Sequence, residues 1–385
     1  MAMAATRITR APLRTLVAAA AVALAVTTTL QPTAHASVSA TPTKTAGLSG
    51  EAVFDLAVLD SGRVILGGRF TGVGAFPRSN LGALLPSGKA DPAFAPSTNG
   101  DVRAVAASED GTRVFIGGTF TEVNGQPRQN LAALDAVTGA LITDWQADTV
   151  GADPTVRSLD VHGDRLYVGG RFDGIDGTAK QKLAAVGVTS GNTLAWNTWT
   201  NGNVAEVRVS PDGQTVWVGG AFSKIRGMAR AYFGGIDATT GYPNAFSRDS
   251  WGGVVITVGT SPDGGTVYVA TENNHLFAYD WAASKELWRT RMSGNVQAIA
   301  ASPTEIYIGG HFSSFADYKV KRPSLASVVA STGAPTSWDT KATGLLGGGW
   351  SLVIDGSTLH VGGQFTRFDG VQQRLYARFA GTPTP

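Results

Sequence analysis

The stretch that decides the fold is Val114-Phe115-Ile116-Gly117-Gly118-Thr119-Phe120-Thr121-Glu122-Val123-Asn124-Gly125, and close copies of it return along most of the chain. A glycine pair marks each copy, at Gly67-Gly68, Gly117-Gly118, Gly169-Gly170, Gly219-Gly220, a degenerate Val269-Ala270, Gly309-Gly310 and Gly362-Gly363. Successive pairs are 50, 52, 50, 50, 40 and 53 residues apart. A repeat of this length with strand-like content is typical of a propeller or a solenoid. The sequence therefore predicts seven structural units.

Each unit contains four short strand-like segments. In the second unit they cover residues 102–107, 113–120, 130–135 and 140–145. Pairs such as Asp110-Gly111 and Thr138-Gly139 separate them, and glycine supplies the positive φ that tight hairpin turns need. We therefore predict an all-β fold, a seven-bladed β-propeller with four-stranded antiparallel blades.

The two ends of the chain predict how the ring closes. The last unit supplies only three segments, at 350–354, 358–365 and 374–380, whereas residues 37–44 precede the first unit and belong to no blade. We predict that residues 37–44 form the missing outer strand, because closure removes exposed sheet edges. Residues 37–381 would then be a single propeller domain, and residues 382–385 a short tail.

The first 36 residues have the pattern of an export signal. Arg7, Arg10 and Arg14 form a basic region, residues 16–26 are apolar, and Ala34-His35-Ala36 is a small-x-small cleavage site. Later in the chain, no apolar run reaches the roughly 18 residues of a membrane span. We expect a secreted, extracellular protein that is not inserted in a membrane.

The composition argues against several classes of function. Without the three arginines of the export signal, 28 basic residues face 29 acidic ones, a net charge of about −1, so we expect no nucleic-acid partner. The absence of cysteine excludes a disulfide framework, thiol chemistry and the thioether of kelch-type copper-radical oxidases. The length and composition suit a monomer.

The motif aliphatic-Gly-Gly-x-Phe-Thr-x-Val-Asn-Gly-x-x-Arg-x-x-Leu-Ala-Ala-Leu-Asp-x-x-Thr-Gly runs nearly unbroken from Ile116 to Gly139. It resembles the repeat of secreted bacterial β-propellers often called the delta-sixty repeat, and the resemblance covers residues 50–380. It implies a propeller fold and an extracellular or cell-surface location. It brings no assigned activity and no catalytic residue to this chain.

The fifth unit departs from the others. It lacks the Phe that follows the glycine pair elsewhere, and it lacks the long loop after that Phe. We expect a notch in the rim where this loop is missing. Residues 278–288 of this unit resemble the tryptophan-docking repeat of quinoprotein propellers.

Aromatic residues end the fourth segment of six units, at Phe94, Trp145, Trp196, Phe246, Trp288 and Trp338. Their regular return favours packing between neighbouring blades, and a stacking platform for sugars is the alternative.

Basic residues recur on the loops between the second and third segments, at Arg78, Arg128, Lys180 and Arg230. A ring of cations on one face could hold an acidic glycan or a carboxylate ligand. The alternative is a structural role, in which each cation pairs with an aspartate such as Asp135 or Asp237 or caps its loop.

The first segment of each unit lines the predicted axis, and its opening residues differ between units. We place six residues at the channel mouth: Asp55, Arg103, Arg157, Glu206, Gln297 and Trp350. Variation at equivalent positions is expected of a specific site on a repeated frame, and relaxed constraint would look the same.

No catalytic constellation stands out. The four histidines after the export signal lie in four units at unlike positions, so we expect no metal site and no cofactor. Our leading hypothesis is a non-enzymatic binding module for an extracellular protein or glycan at the cell surface. One alternative is a carbohydrate-active hydrolase or lyase that uses carboxylates at the channel mouth, from Asp55, Asp101 and Glu206. A purely structural surface protein is another.

Overall fold

The structure, a computed structural model, describes residues 38–248, 250–343 and 348–381, and all regular secondary structure in these residues is β-strand. The predicted export signal, Ser37 and the tail at 382–385 lie outside the described residues. The all-β prediction is confirmed for the described part of the chain.

The first half of the described chain contains twenty strands: β1 (Leu48–Val58), β2 (Val64–Val73), β3 (Phe76–Pro77), β4 (Leu81–Leu84), β5 (Val102–Ala107), β6 (Arg113–Gly118), β7 (Glu122–Val123), β8 (Gln126–Pro127), β9 (Leu131–Asp135), β10 (Thr149–Val150), β11 (Thr155–His162), β12 (Arg165–Arg171), β13 (Gly174–Ile175), β14 (Thr178–Ala179), β15 (Leu183–Gly187), β16 (Asn203–Val209), β17 (Thr215–Ala221), β18 (Lys224–Ile225), β19 (Met228–Ala229) and β20 (Phe233–Asp237).

The remaining strands are β21 (Val255–Thr260), β22 (Thr266–Thr271), β23 (His275–Asp280), β24 (Lys285–Arg291), β25 (Val296–Ala301), β26 (Glu305–Gly310), β27 (Ser314–Phe315), β28 (Val320–Lys321), β29 (Leu325–Val329), β30 (Ala342–Thr343), β31 (Gly348–Asp355), β32 (Thr358–Gln364), β33 (Arg367–Phe368), β34 (Val371–Gln372) and β35 (Tyr376–Ala380).

One antiparallel sheet forms from each repeat unit, and we number the sheets one to seven in chain order. Their first strands are β1, β5, β11, β16, β21, β25 and β31. Each first strand contacts the first strand of the next sheet, and β31 contacts β1. The first strands therefore lie next to one another in sequence order.

The glycine pairs set the spacing between sheets. A Cβ atom built on Gly117 would lie 2.3 Å from Cγ1 of Val156, at the start of the next sheet's first strand. Gly169 faces Val204 and Gly219 faces Val255 in the same way, at 2.6 and 2.5 Å. Only glycine permits this approach without a shift, so the pair has a packing role.

The register of sheet five corrects the sequence alignment. Ala270 lies opposite Thr257, as Gly219 lies opposite Glu206 in sheet four. The residues equivalent to the glycine pair are therefore Ala270 and Thr271, one position later than the Val269-Ala270 that repeat spacing predicted.

The predicted fourth strand is complete only in sheet five among the described residues, where β24 pairs with β23. In sheets one, two, three, four and six it is reduced to one bridge each, at Leu84–Ala90, Leu134–Leu141, Val186–Thr193, Ile236–Pro243 and Val328–Pro335. Pro243 and Pro335 lack the N–H that would continue a ladder, whereas β24 contains no proline. The prediction of a strand over residues 140–145 is therefore wrong.

A hairpin arm follows the glycine pair in most sheets. The arms are β7–β8, β13–β14, β18–β19, β27–β28 and β33–β34, and in sheet one the end of β2 pairs with β3. In sheet five, residues 272–274 join β22 directly to β23 without an arm. The loop that the sequence indicated as missing is absent from this described segment.

The start of the described chain lies against its last strand. Ser39 N donates to Ala380 O and Thr43 N donates to Arg378 O, both at 2.7 Å. Val38 also bridges Gly381. Residues 38–43 thus contact the outer edge of sheet seven.

The repeated tryptophans are buried and link neighbouring sheets. Trp145 and Trp196 are 1% and 0% exposed, and each donates its indole N–H at 3.0 Å to a carbonyl of the next sheet, Gly187 O and Asp237 O. Trp338 donates to Ser39 O at 3.2 Å. These contacts explain why the aromatic position recurs, because each ring fills the space between two sheets and its polar atom is satisfied.

Candidate functional site

A cavity of about 320 Å³ opens where the first strands begin. Each first strand has a register shift at this end, and the residue at the shift faces the opening. Seven side chains, one from each sheet, line it: Phe54, Arg103, Arg157, Ala205, Ile256, Gln297 and Trp350. We call this set the mouth ring.

The mouth ring corrects the predicted set at two positions. Arg103, Arg157, Gln297 and Trp350 are members, but Phe54 and Ala205 occupy the places given to Asp55 and Glu206. Asp55 and Glu206 lie one position deeper, opposite Gly67 and Gly219. The bulge explains the difference, because it inserts one residue whose presence repeat spacing does not reveal.

Three side chains of the mouth ring, Phe54, Arg103 and Trp350, already contact one another or nearby residues. Trp350 stacks on Phe54 with ring centroids 5.2 Å apart, and the guanidinium carbon of Arg103 lies 5.1 Å from the centroid of the Phe54 ring. Arg103 also pairs with Asp101 at 3.0 Å. On the far side, Trp350 Nε1 donates to His311 Nε2 at 3.4 Å, and burial lowers the pKa of His311, so that its ring accepts this proton in the neutral form.

The rest of the mouth ring is open. Arg157 is exposed, and in residues 38–248, 250–343 and 348–381 it has neither an ion-pair partner nor a hydrogen-bond acceptor. Burial by the channel walls lowers the pKa of Arg157, and the nearby cations Arg103 and Arg171 lower it further. Gln297 has a buried Oε1 atom with no partner in the described structure. The Arg157 guanidinium can therefore donate hydrogen bonds to a ligand, and the Gln297 Oε1 atom can accept one.

An overlapping cavity of about 380 Å³ shares the mouth ring and extends along the first strands, and its lining holds three acidic side chains and three arginines. Asp55, Asp160, Glu206 and Arg208 all line it. Asp101, the third carboxylate that we considered for catalysis, does not line the described cavity and instead pairs with Arg69 at 2.6 Å.

Asp55 and Asp160 brace neighbouring sheets. Asp55 accepts Val105 N at 2.8 Å, Ser351 Oγ at 2.7 Å and Leu56 N at 2.9 Å. Asp160 likewise accepts Val209 N at 2.8 Å. Burial raises the pKa of both carboxyls and these hydrogen bonds oppose it. Their oxygens are committed to backbone groups, which makes them poor nucleophiles.

Glu206 has a different environment. It accepts Ser158 Oγ at 3.2 Å and Arg208 Nη2 at 3.1 Å, both through Oε1. Burial raises the pKa of Glu206 to about 7, and Asp55 and Asp160 add to this while Arg208 opposes it. The carboxyl therefore changes its charge near neutral pH. Asp160 and Arg208 were missed in the sequence, although they stand two residues beyond Ser158 and Glu206 on the same face of their strands.

The repeated loop cations are held by backbone carbonyls. Arg78 Nε donates to Phe94 O at 3.0 Å, Arg128 Nη2 to Thr143 O at 2.8 Å, Lys180 Nζ to Trp196 O at 2.9 Å and Arg230 Nη2 to Asn244 O at 2.9 Å. None of the four is among the described residues that line the two channel cavities. These contacts match the loop-capping alternative.

The proposed aspartate partners have another role. Asp135 accepts the N–H groups of Val137 and Thr138 at 3.1 and 2.7 Å, and Asp237 accepts those of Thr239 and Thr240 at 3.0 and 2.6 Å. Both carboxylates stabilise tight turns, and these hydrogen bonds lower the pKa of each. Pairing of the loop cations with Asp135 or Asp237 was thus the wrong alternative.

The described residues contain neither a metal-ligand cluster nor a membrane-spanning helix. No three side chains among His, Cys, Asp and Glu are grouped so that they could hold a metal ion. The described part also contains no helix with the length and apolar character that crossing a bilayer requires.

Comparison with known proteins defines the fold. No family model and no curated protein sequence matches the chain. Among solved structures, a chain from the crystal structure of the mitotic checkpoint complex is similar to it with a TM-score of 0.62 and 15% sequence identity. The similarity covers 98% of this chain and 99% of that one. The neighbour is a WD40-like propeller, and the protein accordingly has a β-propeller fold.

Proposed function

We propose that the protein is a secreted seven-bladed β-propeller that acts as a non-enzymatic binding module for an extracellular protein or glycan. The unbroken series of contacts between first strands, from β1 to β31 and back to β1, supports seven blades. The export-signal pattern of residues 1–36 supports secretion.

Closure by the N-terminal segment is part of this proposal. The hydrogen bonds of Ser39 and Thr43 to the last strand support it, as does the indole hydrogen bond from Trp338 to Ser39 O. Deletion of residues 38–46 should lower the melting temperature and promote association, because it exposes a sheet edge. An unchanged melting curve with a monodisperse monomer would contradict closure.

The observation that carries the binding proposal is the state of Arg157. A guanidinium that the channel walls partly desolvate, with two further cations nearby and no described partner, favours a bound anion. The unpartnered Oε1 of Gln297 can accept a hydrogen bond from the same ligand. Ala205 and Ile256, which line the same cavity, carry no charge that would compete for the anion. We therefore place an anionic group of the ligand at Arg157.

Paired probes test this site. N-acetylglutamate α-amide and glucuronate represent a protein carboxylate and a glycan carboxylate, and N-acetylglutamine α-amide and glucose are their neutral counterparts. We expect binding of at least one acidic probe, about tenfold weaker binding by Arg157→Gln, and further weakening with salt. Arg165→Gln, beside the turns at the opposite end of the strands, is the matched control. Equal binding of acidic and neutral probes, or no effect of Arg157→Gln, would refute the site.

One observation favours the second candidate, a carbohydrate-active hydrolase or lyase. Glu206 lies in the channel with a pKa raised to about 7 by burial, which suits a general acid at neutral pH. Turnover of a polysaccharide panel that is lost in Glu206→Gln would support catalysis. If neither the unmodified protein nor Glu206→Gln turns over the panel, and binding at Arg157 is intact, the catalytic candidate is refuted and the binding-module proposal stands.

A further inference from the structure

A second groove lies away from the channel, where the hairpin of sheet three meets the segment that leads into sheet four. Its volume is about 450 Å³, and the residues that matter in its lining are Lys180, Gln181, Asn197, Thr198, Trp199 and Arg226. No member of the mouth ring lines it. We call it the rim groove.

Trp199 distinguishes this groove from its equivalents in other units. Three residues after the aromatic that ends the fourth segment, the sequence of the other units has Ser97, Asp148, Asp249, Arg291 and Lys341. At 38%, Trp199 is the only one of the nine tryptophans in the exposed class, and all nine are described. Its backbone is held in place because Trp199 O accepts Arg226 N at 3.0 Å. The indole is therefore an accessible aromatic surface on a backbone that is held in place.

Unused polar groups surround the indole. Gln181 and Asn197 are exposed, and their amide side chains make no hydrogen bond to the described residues. Thr198 is 3% exposed, and its Oγ1 is buried without a described partner. Buried hydroxyls are normally paired, so an unpaired one that lines a groove indicates a place for a ligand's polar group.

The groove also has a definite charge. Lys180 and Arg226 line it, and no carboxylate does so in the described structure. Lys180 uses one of its three N–H donors on Trp196 O, which leaves two. Arg226 is oriented by a hydrogen bond to Asn197 O and by Tyr242, whose ring centroid lies 3.8 Å from the guanidinium carbon. A ligand with negative charge fits this lining.

We propose that the rim groove binds an acidic saccharide whose unit carries a carboxylate. The C–H face of a sugar ring would pack on Trp199, its hydroxyls would bond Gln181, Asn197 and Thr198 Oγ1, and its carboxylate would face Lys180 and Arg226. A hydrophobic protein anchor fits less well, because Trp199 is the only large apolar side chain in the described lining. The inference does not depend on the channel mouth.

The probe is a trigalacturonate oligosaccharide, with neutral maltotriose as its counterpart. Trigalacturonate should bind and protect fluorescence from acrylamide, because Trp199 is the most accessible indole. Trp199→Ala should weaken binding about tenfold or more. Tyr318→Ala removes an aromatic side chain that is 44% exposed in another unit and should have no effect.

Thr198→Val separates binding from folding. Valine has the shape of threonine without the hydroxyl, and the hydroxyl has no described partner in the free protein. The variant should keep or raise the melting temperature and still bind trigalacturonate about tenfold more weakly. A purely structural threonine would show the opposite pattern, with lower stability and unchanged binding.

Four results would overturn the proposal. They are no binding of trigalacturonate by the unmodified protein, equal binding of maltotriose, unchanged binding by Trp199→Ala, and loss of binding in Arg157→Gln with Trp199 intact. The last would move the saccharide to the channel mouth. Loss of a protein partner, rather than a saccharide, in Trp199→Ala would make the groove a protein interface.

Discussion

Arg128 and Arg157 belong to neighbouring units of one repeat and are used in opposite ways. Arg128 recurs as a cation in other units, is 6% exposed and donates to Pro127 O and Thr143 O, both at 2.8 Å. Arg157 varies between units, is exposed and has no described partner. The repeated cation stabilises the loop of its own unit, and the variable cation can interact with something else.

The difference has a physical cause. A position that meets the same neighbours in every unit is selected for the same contact, and a buried cation must be satisfied by those neighbours. Around the channel mouth, by contrast, seven side chains meet one another and the solvent. Repetition therefore indicates a structural role, and the residues that set the two candidate sites apart, Arg157 and Trp199, lie at positions that break the repeat.

The largest expected difference in stability is between variants of a repeated tryptophan, Trp145, and a variable one, Trp199. Trp145→Ala should lower the free energy of unfolding by about 3 to 5 kcal/mol, because it empties the space between two sheets and removes the indole hydrogen bond to Gly187 O. Trp199→Ala should cost about 1 kcal/mol or less. Urea unfolding measures both. Equal losses would break the distinction between repeated and variable positions.

A smaller effect compares the two cations. Arg128→Met should cost about 1 to 3 kcal/mol, since it removes hydrogen bonds from a buried side chain to two backbone carbonyls. Arg157→Met should change stability by no more than about 0.5 kcal/mol. Thermal melts of the pair at one pH are sufficient. A costly Arg157→Met would mean that this side chain has a structural partner.

The last effect, of similar size at most, is a pH dependence that arises in the channel. The pKa of Glu206 is about 7 in the folded protein, against an ordinary value of 4.5. The folded state therefore keeps a proton that the unfolded state releases, and the free energy of unfolding should fall as pH rises from 4.5 to 7. The loss is on the order of 2 kcal/mol, since solvent in the channel reduces it.

Glu206→Gln is the matched variant for this effect, because it resembles the protonated carboxyl. It should equal the unmodified protein near pH 4.5 and exceed it in stability above pH 7. If both proteins show the same slope between these values, Glu206 does not titrate in this range and the second candidate function loses its general acid.

Much of the architecture could be predicted from local sequence. The glycine pairs, the turn glycines and the spacing of about 50 residues indicated an all-β repeat, because each depends on neighbours close in the chain. The burial of Trp145 and Trp196 followed from the same regularity. The sequence predicted too many fourth strands. Its strand-like pattern did not show that most of these segments would form only one bridge to the third strand.

The candidate sites depended on tertiary structure. A bulge in each first strand exchanged Phe54 for Asp55 and Ala205 for Glu206 at the mouth, and repeat spacing contains no signal for it. Contacts between distant residues, such as Ser351 with Asp55, decided which polar groups were already satisfied.

By itself, then, the sequence determined the repeat, the strand content and the packing positions, because these arise from short-range chemistry that recurs in every unit. Only the tertiary structure decided that Arg128 donates to two backbone carbonyls while Arg157 and Thr198 Oγ1 have no described partner. The reason is that hydrogen-bond satisfaction depends on which residues from other parts of the chain lie within about 3 Å, and sequence distance does not report this.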